Sequence, residues 1–264
     1  MAILLEEFDR NRNAIIEPEM VAPSLEGFPK IAVTCFSNHL LKTVLGKVEK
    51  EFLCMLDTED GGTPVYRVFY DGVEMAVYMS RVGAPACAVQ MEEMIARGTE
   101  SFVVFGSCGV LDRNLGKWHI IIPTSAMRDE GVSYHYLPPS DAVEADEDCV
   151  ELLKSIFEQY NEPYICGKVW TTDAIYRETL EKTARRKQQG CIAVDMECAS
   201  LLAISQFRKV KVMQFFYAED NLDMETWDHR GLSKGVHTKA DHLFELAQTC
   251  AKKYRDFMEK KRAL

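Results

Sequence analysis

Two acidic residues stand inside an otherwise apolar run, AVDMECASLL, at residues 193–202. Alternate side chains share a face on an extended segment, so Asp195 and Glu197 would point one way and Val194 and Met196 the other. A buried carboxylate must be paired or hydrogen-bonded, and the hydroxyls of a diol are suitable donors. A helix N-terminus also favours acidic side chains without any ligand. The pattern alone leaves both interpretations open.

A second apolar run, FFYAEDNL at residues 215–222, also ends in acids. An acid at such a strand end, partly removed from water, is well suited to general acid catalysis, and Asp220 is the candidate. Arg230 follows later in the chain and could return to pair with it. A solvated loop is the competing interpretation, and it is stronger for Glu219 and Asp223 than for Asp220.

A third run, FVVFGSCGVL at residues 102–111, is a continuous apolar strand that ends in glycine and serine. Gly106 would allow backbone N–H groups to approach a ligand closely, with Ser107 beside it. Ligands of open α/β sheets gather at the carboxyl ends of strands. An ordinary strand-to-loop turn would have the same residues, so the pattern is weak by itself.

The stretch GKVWTTDAIYRE at residues 167–178 places small polar and flat apolar side chains after another strand. Thr172, Ile175 and Tyr176 could hold an aromatic ring, although such residues more often belong to a core. Four separate strand ends therefore carry side chains that could take part in binding or catalysis. Their convergence is difficult to attribute to chance, and it predicts one shared site.

The hydrophobic pattern indicates which elements must position these groups. Runs rich in β-branched and aromatic residues predict strands at 30–35, 73–79, 101–106, 118–123, 167–172 and 210–217. Helical spacing of apolar residues predicts helices at 85–97, 147–160, 197–207 and 236–262. This alternation predicts an α/β fold, a single domain over residues 1–264 with a central mixed, largely buried β-sheet flanked by helices. The acidic stretch 138–148 is expected to be a surface loop before a helix.

Composition limits the classes of function. The net charge of -10, without a dense stripe of Lys and Arg, argues against a nucleic-acid partner. No apolar segment is long enough to cross a membrane and the N-terminus lacks the pattern of a signal peptide, so we expect a cytoplasmic protein that does not act at a membrane. The 9 cysteines are scattered without a CxxC pair, which predicts neither a metal site nor a disulfide framework.

Taken together, FGSCGVL, TTDAIYRE, VDMECASLL and AEDNL resemble the nucleoside phosphorylase and nucleosidase superfamily over roughly residues 30–255. In that family the residues that match Met196 and Glu197 hold the ribose. The position matched by Ile175 carries an aromatic ring that stacks on the base, so this chain departs from the pattern there. Asp220 matches the acid that protonates a leaving purine, and Arg230 is the counterpart of its helper.

The resemblance implies phosphorolysis of an N-ribosidic bond to free base and ribose 1-phosphate. Inorganic phosphate would be the co-substrate, with no metal or other cofactor. Gly106 and Ser107 match part of the phosphate-binding turn, but the arginines of the family are missing, because His39 and Val104 lie near where they would fall. Arg81 is predicted to supply the missing charge.

The resemblance gives two opposite indications about the base of the nucleoside. Thr179 and Glu181 occupy the positions that read uracil in pyrimidine-specific members, and this loss favours a purine-type base. The stretch 127–138 resembles uridine phosphorylases and favours the opposite. A hydrolytic nucleosidase with a degraded phosphate site and a non-catalytic nucleoside-binding protein are further alternatives. The resemblance also implies a homo-oligomer, either a dimer or a trimer of dimers, in which His135 or His229 could reach the ribose.

Overall fold

A central mixed sheet flanked by helices forms the fold in the computed structural model, which describes residues 3–232 and 235–263. The strands are β1 (Ile31–Cys35), β2 (Glu51–Leu56), β3 (Thr63–Tyr70), β4 (Val73–Met79), β5 (Ser101–Val110), β6 (Ile120–Asp129), β7 (Ala142–Glu144), β8 (Tyr164–Thr172), β9 (Cys191–Asp195) and β10 (Lys211–Asn221). The α-helices are α1 (Pro18–Val21), α2 (Asn38–Leu45), α3 (Ala84–Arg97), α4 (Ser133–Tyr136), α5 (Glu147–Gln159), α6 (Leu180–Gln188), α7 (Cys198–Arg208) and α8 (Val236–Ala263). Two 3₁₀ turns lie at Leu4–Glu6 and Ile175–Arg177.

This architecture confirms the predicted α/β class with its central mixed sheet. Every predicted strand and helix has a counterpart, although several strands extend further than their apolar runs. The expectation for residues 138–148 was wrong in part, because β7 forms within that stretch and pairs with β6.

Strand β5 organises the sheet because its neighbour changes along its length. Its first half pairs in parallel with β1, and the last partner pair on that side is Cys35 with Phe105. Its end pairs with antiparallel β9, through Gly109 with Val194. Strand β10 pairs along the other side of β5 and also with β6, so that β5, β10, β6, β8 and β9 pair in a closed ring. Residues 106–108 therefore lie between the part of β5 that pairs with β1 and the part that pairs with β9, where a cleft can open.

Helices cover both faces of this sheet. Buried residues of α2, α5 and α8 pack on one face, and buried residues of α3 and α7 pack on the other. Strands covered on both sides are expected to be apolar throughout, as β1 and most of β5 are. Within the described ranges, no helix combines the length and apolar character that crossing a bilayer requires.

The starts of three helices turn the chain at the carboxyl ends of strands. Gly83 precedes α3 with a φ of 98°, a left-handed conformation that favours glycine. The Thr179 hydroxyl accepts a hydrogen bond from the backbone N–H of Lys182 at the start of α6, at 3.4 Å. Glu197 precedes α7, directly after β9. The three turns place short segments of chain around the cleft beside β5.

Candidate active site

A cavity of about 710 Å³ lies at the carboxyl ends of β5, β9 and β10. Segments that follow β1, β4 and β8 complete its wall. The described lining residues are Phe36, Val82, Ser107, Cys108, Gly109, Ile175, Tyr176, Glu178, Thr179, Leu180, Thr183, Val194, Asp195, Met196, Glu197, Asp220, Leu222, Met224, Glu225, Trp227 and Leu232. Six residues predicted from separate strand ends, from Ser107 to Asp220, are thus brought to one cavity, and its volume suits a nucleoside-sized ligand.

Asp195 is held by the protein itself. Its carboxylate accepts hydrogen bonds from the Thr171 hydroxyl at 2.7 Å and from the backbone N–H groups of Glu197 at 2.8 Å and Cys198 at 2.6 Å. Burial raises the pKa of this carboxyl, and the three donors oppose that increase. We assign the negative charge of the Asp195–Glu197 pair to Asp195 because three donors stabilise it there.

Glu197 is the less satisfied member of the pair. It is buried, and one oxygen accepts a hydrogen bond from the backbone N–H of Gly83 at 2.5 Å. Burial raises the pKa of Glu197, and the negative charge of Asp195 raises it further. A ligand that donates hydrogen bonds, such as a diol, would stabilise the ionised form.

Asp220 lies in the same cavity and is half-buried at the end of β10. Its Oδ2 accepts a hydrogen bond from the Trp227 Nε1–H at 2.7 Å. A Cβ atom built on Gly109 would lie 3.3 Å from Asp220 Oδ1 and only 2.5 Å from Leu222 Cδ1. Glycine at position 109 therefore keeps the space in which Asp220 and Leu222 line the cavity.

Glu178 is a further acid in this wall, at the end of the 3₁₀ turn Ile175–Arg177. Burial raises the pKa of Glu178 to about 7; the negative charge of Asp220 adds to this, and the positive charge of Lys182 opposes it. A carboxyl group with this pKa exchanges its proton near neutral pH, as a general acid or base must.

The predicted base-binding residues separate into two groups. Ile175 and Tyr176 line the cavity, with exposed fractions of 44% and 93%, so both are free to cover a ligand. Thr172 is buried and absent from the described lining; its hydroxyl accepts a hydrogen bond from the backbone N–H of Ala174 at 3.3 Å. Thr172 therefore supports the turn that carries Ile175 rather than the cavity surface.

The predicted phosphate-binding turn is at the cavity, but its two residues differ. Ser107 is exposed in the lining, and its side chain is hydrogen-bonded to Tyr217. Gly106 is buried, and a Cβ atom there would lie 2.8 Å from Cδ2 of the Phe36 ring, which lines the cavity. The structure therefore explains Gly106 by the close approach of Phe36.

The two predicted arginines do not reach the described lining. The Arg81 guanidinium pairs with the Asp60 carboxylate and donates to the Gly61 carbonyl, in the connection between β2 and β3. Arg230 pairs with Asp228 at 3.3 Å and donates to the Leu115 carbonyl at 2.7 Å. The expected contact between Arg230 and Asp220 was therefore wrong. Nearer acceptors hold Arg230, and Asp220 accepts a hydrogen bond from Trp227 instead.

The described lining is strongly acidic. It contains five carboxyl groups and no Lys, Arg or His; the acids are Glu178, Asp195, Glu197, Asp220 and Glu225. His135 is exposed outside this lining, and His229 Nδ1 accepts a hydrogen bond from the Gly231 backbone at 2.9 Å. Among the described residues no group of three or more His, Cys, Asp and Glu is arranged to hold a metal ion.

Sequence reasoning missed several parts of the site. Glu178 and Trp227 lie in polar segments that resemble ordinary loops. Phe36, in the lining, follows β1, and Gly83, which donates its N–H to Glu197, follows β4, both far in sequence from β9 and β10. The glycine before a proline-containing helix start was the available signal for Gly83, but nothing local indicates that its N–H faces Glu197.

The chain is similar in sequence to known nucleoside phosphorylases. The guanosine phosphorylase of Halorubrum lacusprofundi is 26% identical over 153 residues, which are 58% of this chain and 64% of that protein. The DeoD-type purine nucleoside phosphorylase of Bacillus cytotoxicus is 24% identical over 157 residues, 58% of this chain and 66% of that protein. In both, the match spans less than two thirds of the relative's length.

A solved structure shares the fold. The purine nucleoside phosphorylase of Toxoplasma gondii, in complex with immucillin-H, superposes with a TM-score of 0.74, covering 88% of this chain and 94% of that one at 19% identity. A family model described as the phosphorylase superfamily matches residues 30–253, which include β1, β10 and all of the described cavity lining. With the mixed sheet and the cavity at its strand ends, this match shows that the chain belongs to the phosphorylase superfamily.

Proposed function

We propose that this protein cleaves the N-ribosidic bond of a purine nucleoside by phosphorolysis, releasing the free base and ribose 1-phosphate. One observation carries the proposal: Glu197, which follows β9, and Asp220, at the end of β10, line one cavity of about 710 Å³. A ribose held at one carboxyl group and a base at the other would fill such a space.

Glu197 would accept hydrogen bonds from the ribose hydroxyls, with Met196 against the sugar. Cleavage of an N-ribosidic bond develops positive charge on the ribose ring, as in other glycosyl transfer. An ionised Glu197 beside the sugar stabilises that charge more in the transition state than in the ground state. The carboxyl group thus has both a binding role and a catalytic role.

The base would lie between Asp220 and the exposed side chains of Ile175 and Tyr176. A purine leaves readily only when a ring nitrogen is protonated, so an acid at this end of the cavity is required. Two relatives are named as a guanosine phosphorylase and a purine nucleoside phosphorylase, which supports a purine-type base. The replacement of pyrimidine-reading residues by Thr179 and Glu181 supports it as well.

Phosphate would approach from the Ser107 side of the cavity. Phosphate binding without any basic side chain would be unusual, since charged donors are its ordinary partners. Hydrolysis is therefore the second candidate, and the observation that favours it is the absence of Lys, Arg and His from the described lining. Water needs no cationic site.

The test is to incubate the purified protein with purine and pyrimidine nucleosides, with and without phosphate, and to identify the sugar product by mass spectrometry. The proposal expects purine release that requires phosphate and yields ribose 1-phosphate. Equal release in phosphate-free buffer with free ribose would replace it by hydrolysis. No release from any nucleoside would contradict both.

A further inference from the structure

Glu178 is the partly buried acid of the described lining that the protein's own contacts do not explain; Glu225, also in the lining, is exposed to solvent. It lines the cavity and is partly buried, yet no other described residue donates a hydrogen bond to its carboxyl group or forms an ion pair with it. By contrast, three donors hold Asp195, the Gly83 N–H holds Glu197, and the Trp227 N–H holds Asp220. A polar group left without a protein partner in a cavity is available to a ligand.

Glu178 shares the cavity with Asp220, whose charge acts on it. The 3₁₀ turn brings Ile175 and Tyr176 into the cavity wall and ends at Glu178, so the residues proposed to cover the base lie directly before it. Trp227 donates to Asp220 Oδ2, so this oxygen is engaged as an acceptor, whereas no described residue donates to the Glu178 carboxyl group.

We propose that Glu178 is the catalytic proton donor to the leaving base, and that Asp220 is the neighbouring carboxylate that keeps Glu178 protonated. This inference rests on the proposed N-ribosidic cleavage. It goes further by moving the acid role from Asp220, which the family resemblance indicates, to Glu178, to which the resemblance gives no role.

The electrostatic surroundings of Glu178 support this division of roles. Burial is the largest cause of its raised pKa of about 7, and the Asp220 carboxylate on β10 is the second. The Lys182 ammonium on α6 acts in the opposite direction. The Asp220 charge and the burial together favour the protonated form of Glu178 near neutral pH.

Proton transfer from Glu178 accompanies cleavage of the bond between the ribose and a purine. The bond between C1′ and the base nitrogen breaks, and its electron pair passes to the purine ring. The O–H bond of Glu178 breaks, and its proton moves to a purine ring nitrogen, which leaves Glu178 as a carboxylate. The nucleophile forms the new bond to C1′: a phosphate oxygen does so directly, whereas an attacking water also releases one proton to solvent. Glu178 takes a proton from solvent after the base has left.

The test compares guanosine with 7-methylguanosine in the unmodified protein and in Glu178→Gln. The methylated base already carries a positive charge at the ring nitrogen and needs no proton to leave. We expect Glu178→Gln to lower kcat for guanosine by about 100-fold or more, as for loss of a general acid, and to change kcat for 7-methylguanosine by less than about threefold. Glu245→Gln, an exposed acid on α8 outside the described lining, is the matched control and should leave both rates unchanged.

The pH dependence gives a second readout. In the unmodified protein kcat for guanosine should fall as pH rises through about 7, and this limb should be absent in Glu178→Gln. If Glu178→Gln retains the rate and the limb, Glu178 is not the donor although the proposed cleavage stands. If kcat of the variant falls equally for guanosine and for 7-methylguanosine, Glu178 is structural and the inference is overturned.

A binding measurement tests the role of Glu178 if the protein cleaves none of the nucleosides offered. Titration of guanine into the unmodified protein by calorimetry, in buffers of different ionisation enthalpy, should show proton exchange that Glu178→Gln abolishes. Unmodified protein that neither cleaves nucleosides nor binds a purine base would overturn the proposed function and this inference together.

Discussion

At the scale of single residues, Asp195 and Glu197 illustrate how two acids in one segment take different roles. The alternation expected from the sequence placed both carboxyl groups on one side, and both do line the cavity. Only the structure shows that Asp195 accepts three hydrogen bonds from the protein, whereas Glu197 has acceptor positions left for a ligand. This difference leads to opposite expectations for the same type of substitution.

Glu197→Gln should stabilise the ligand-free protein at neutral and alkaline pH. In the unfolded chain Glu197 ionises at an ordinary carboxyl pKa, whereas in the folded protein its pKa is raised. Stability that is present at acid pH is therefore lost as pH rises towards the raised pKa, and Gln does not suffer this loss. We expect a gain of about 1–3 kcal/mol at pH 8, declining towards pH 4, measured by urea denaturation at both pH values.

Asp195→Asn is the matched comparison. The one oxygen of an amide could accept from the Glu197 and Cys198 N–H groups, but its NH₂ group would then face the Thr171 hydroxyl, which loses its acceptor, and both remaining hydrogen bonds would lose the help of the negative charge. We expect a loss of about 2 kcal/mol or more at neutral pH. If both variants change stability in the same direction, the assignment of charge within the pair is wrong.

Arg81→Ala tests the residue that the sequence predicted to bind phosphate. Because the guanidinium is held by Asp60 and Gly61 outside the described lining, we expect KM for phosphate to change by less than about threefold. Phosphate-dependent initial rates measure this directly. A rise in KM of tenfold or more would restore the role predicted from the sequence.

At the scale of elements, α6 and the 3₁₀ turn before it form a wall that is attached at few points. Asp129 on β6 accepts a hydrogen bond from Trp170 Nε1 at 2.8 Å and pairs with Lys182 Nζ at 2.6 Å and with Arg186 at 3.4 Å. Both cations also lie over the Trp170 ring. Asp129 therefore joins the wall to the sheet.

Asp129→Asn should loosen this wall without removing any residue of the cavity. We expect KM for the nucleoside to rise by about tenfold, with a smaller effect on kcat, because the base-covering residues would be held less firmly. Hydrogen exchange of α6 should become faster. Asp256→Asn, in ion pairs on α8, is the control for loss of a surface carboxylate. Unchanged exchange in α6 would show that Asp129 does not fix the wall.

Gly109→Ala tests the close packing where β5 meets β9. The added methyl group would lie 2.5 Å from Leu222 Cδ1 and 3.0 Å from Val194 Cγ1, so the cavity wall would have to shift. We expect a loss of about 1–3 kcal/mol in stability and at least tenfold in kcat/KM. At Gly116 no atom lies within 4 Å of an added Cβ, so Gly116→Ala is the control. Equal behaviour of the two variants would contradict this packing.

The elements also show how far the sequence could predict the fold. Apolar runs located the strands that are buried on both faces, such as β1 and β5. Strands β2 and β3 were not predicted, because both are partly exposed and Pro64 interrupts the pattern near the start of β3. The pairing of five strands in a ring joins residues distant in sequence, so no local pattern reports it.

At the scale of the whole molecule, the composition of the candidate site depends on where the closed ring of strands brings its ends. The sequence could indicate which strand ends carry acids, since these lie in short motifs. It could not indicate that Glu178 shares the cavity with Asp220, or that Arg81 and Arg230 are held by other partners. Those outcomes depend on the connections between strands, where the choice of hydrogen-bond partner is set by tertiary contacts.

The central claim is that Glu197 holds the ribose hydroxyls of a nucleoside while its N-ribosidic bond is cleaved. The most direct measurement is kcat/KM for guanosine and for 2′,3′-dideoxyguanosine, in the unmodified protein and in Glu197→Gln. The account predicts that the unmodified protein prefers guanosine by about 100-fold or more, because the diol supplies the donors that a buried carboxylate needs. Glu197→Gln should remove most of that preference by slowing guanosine cleavage. Equal cleavage of the two nucleosides by the unmodified protein, or an undiminished preference in the variant, would contradict the account.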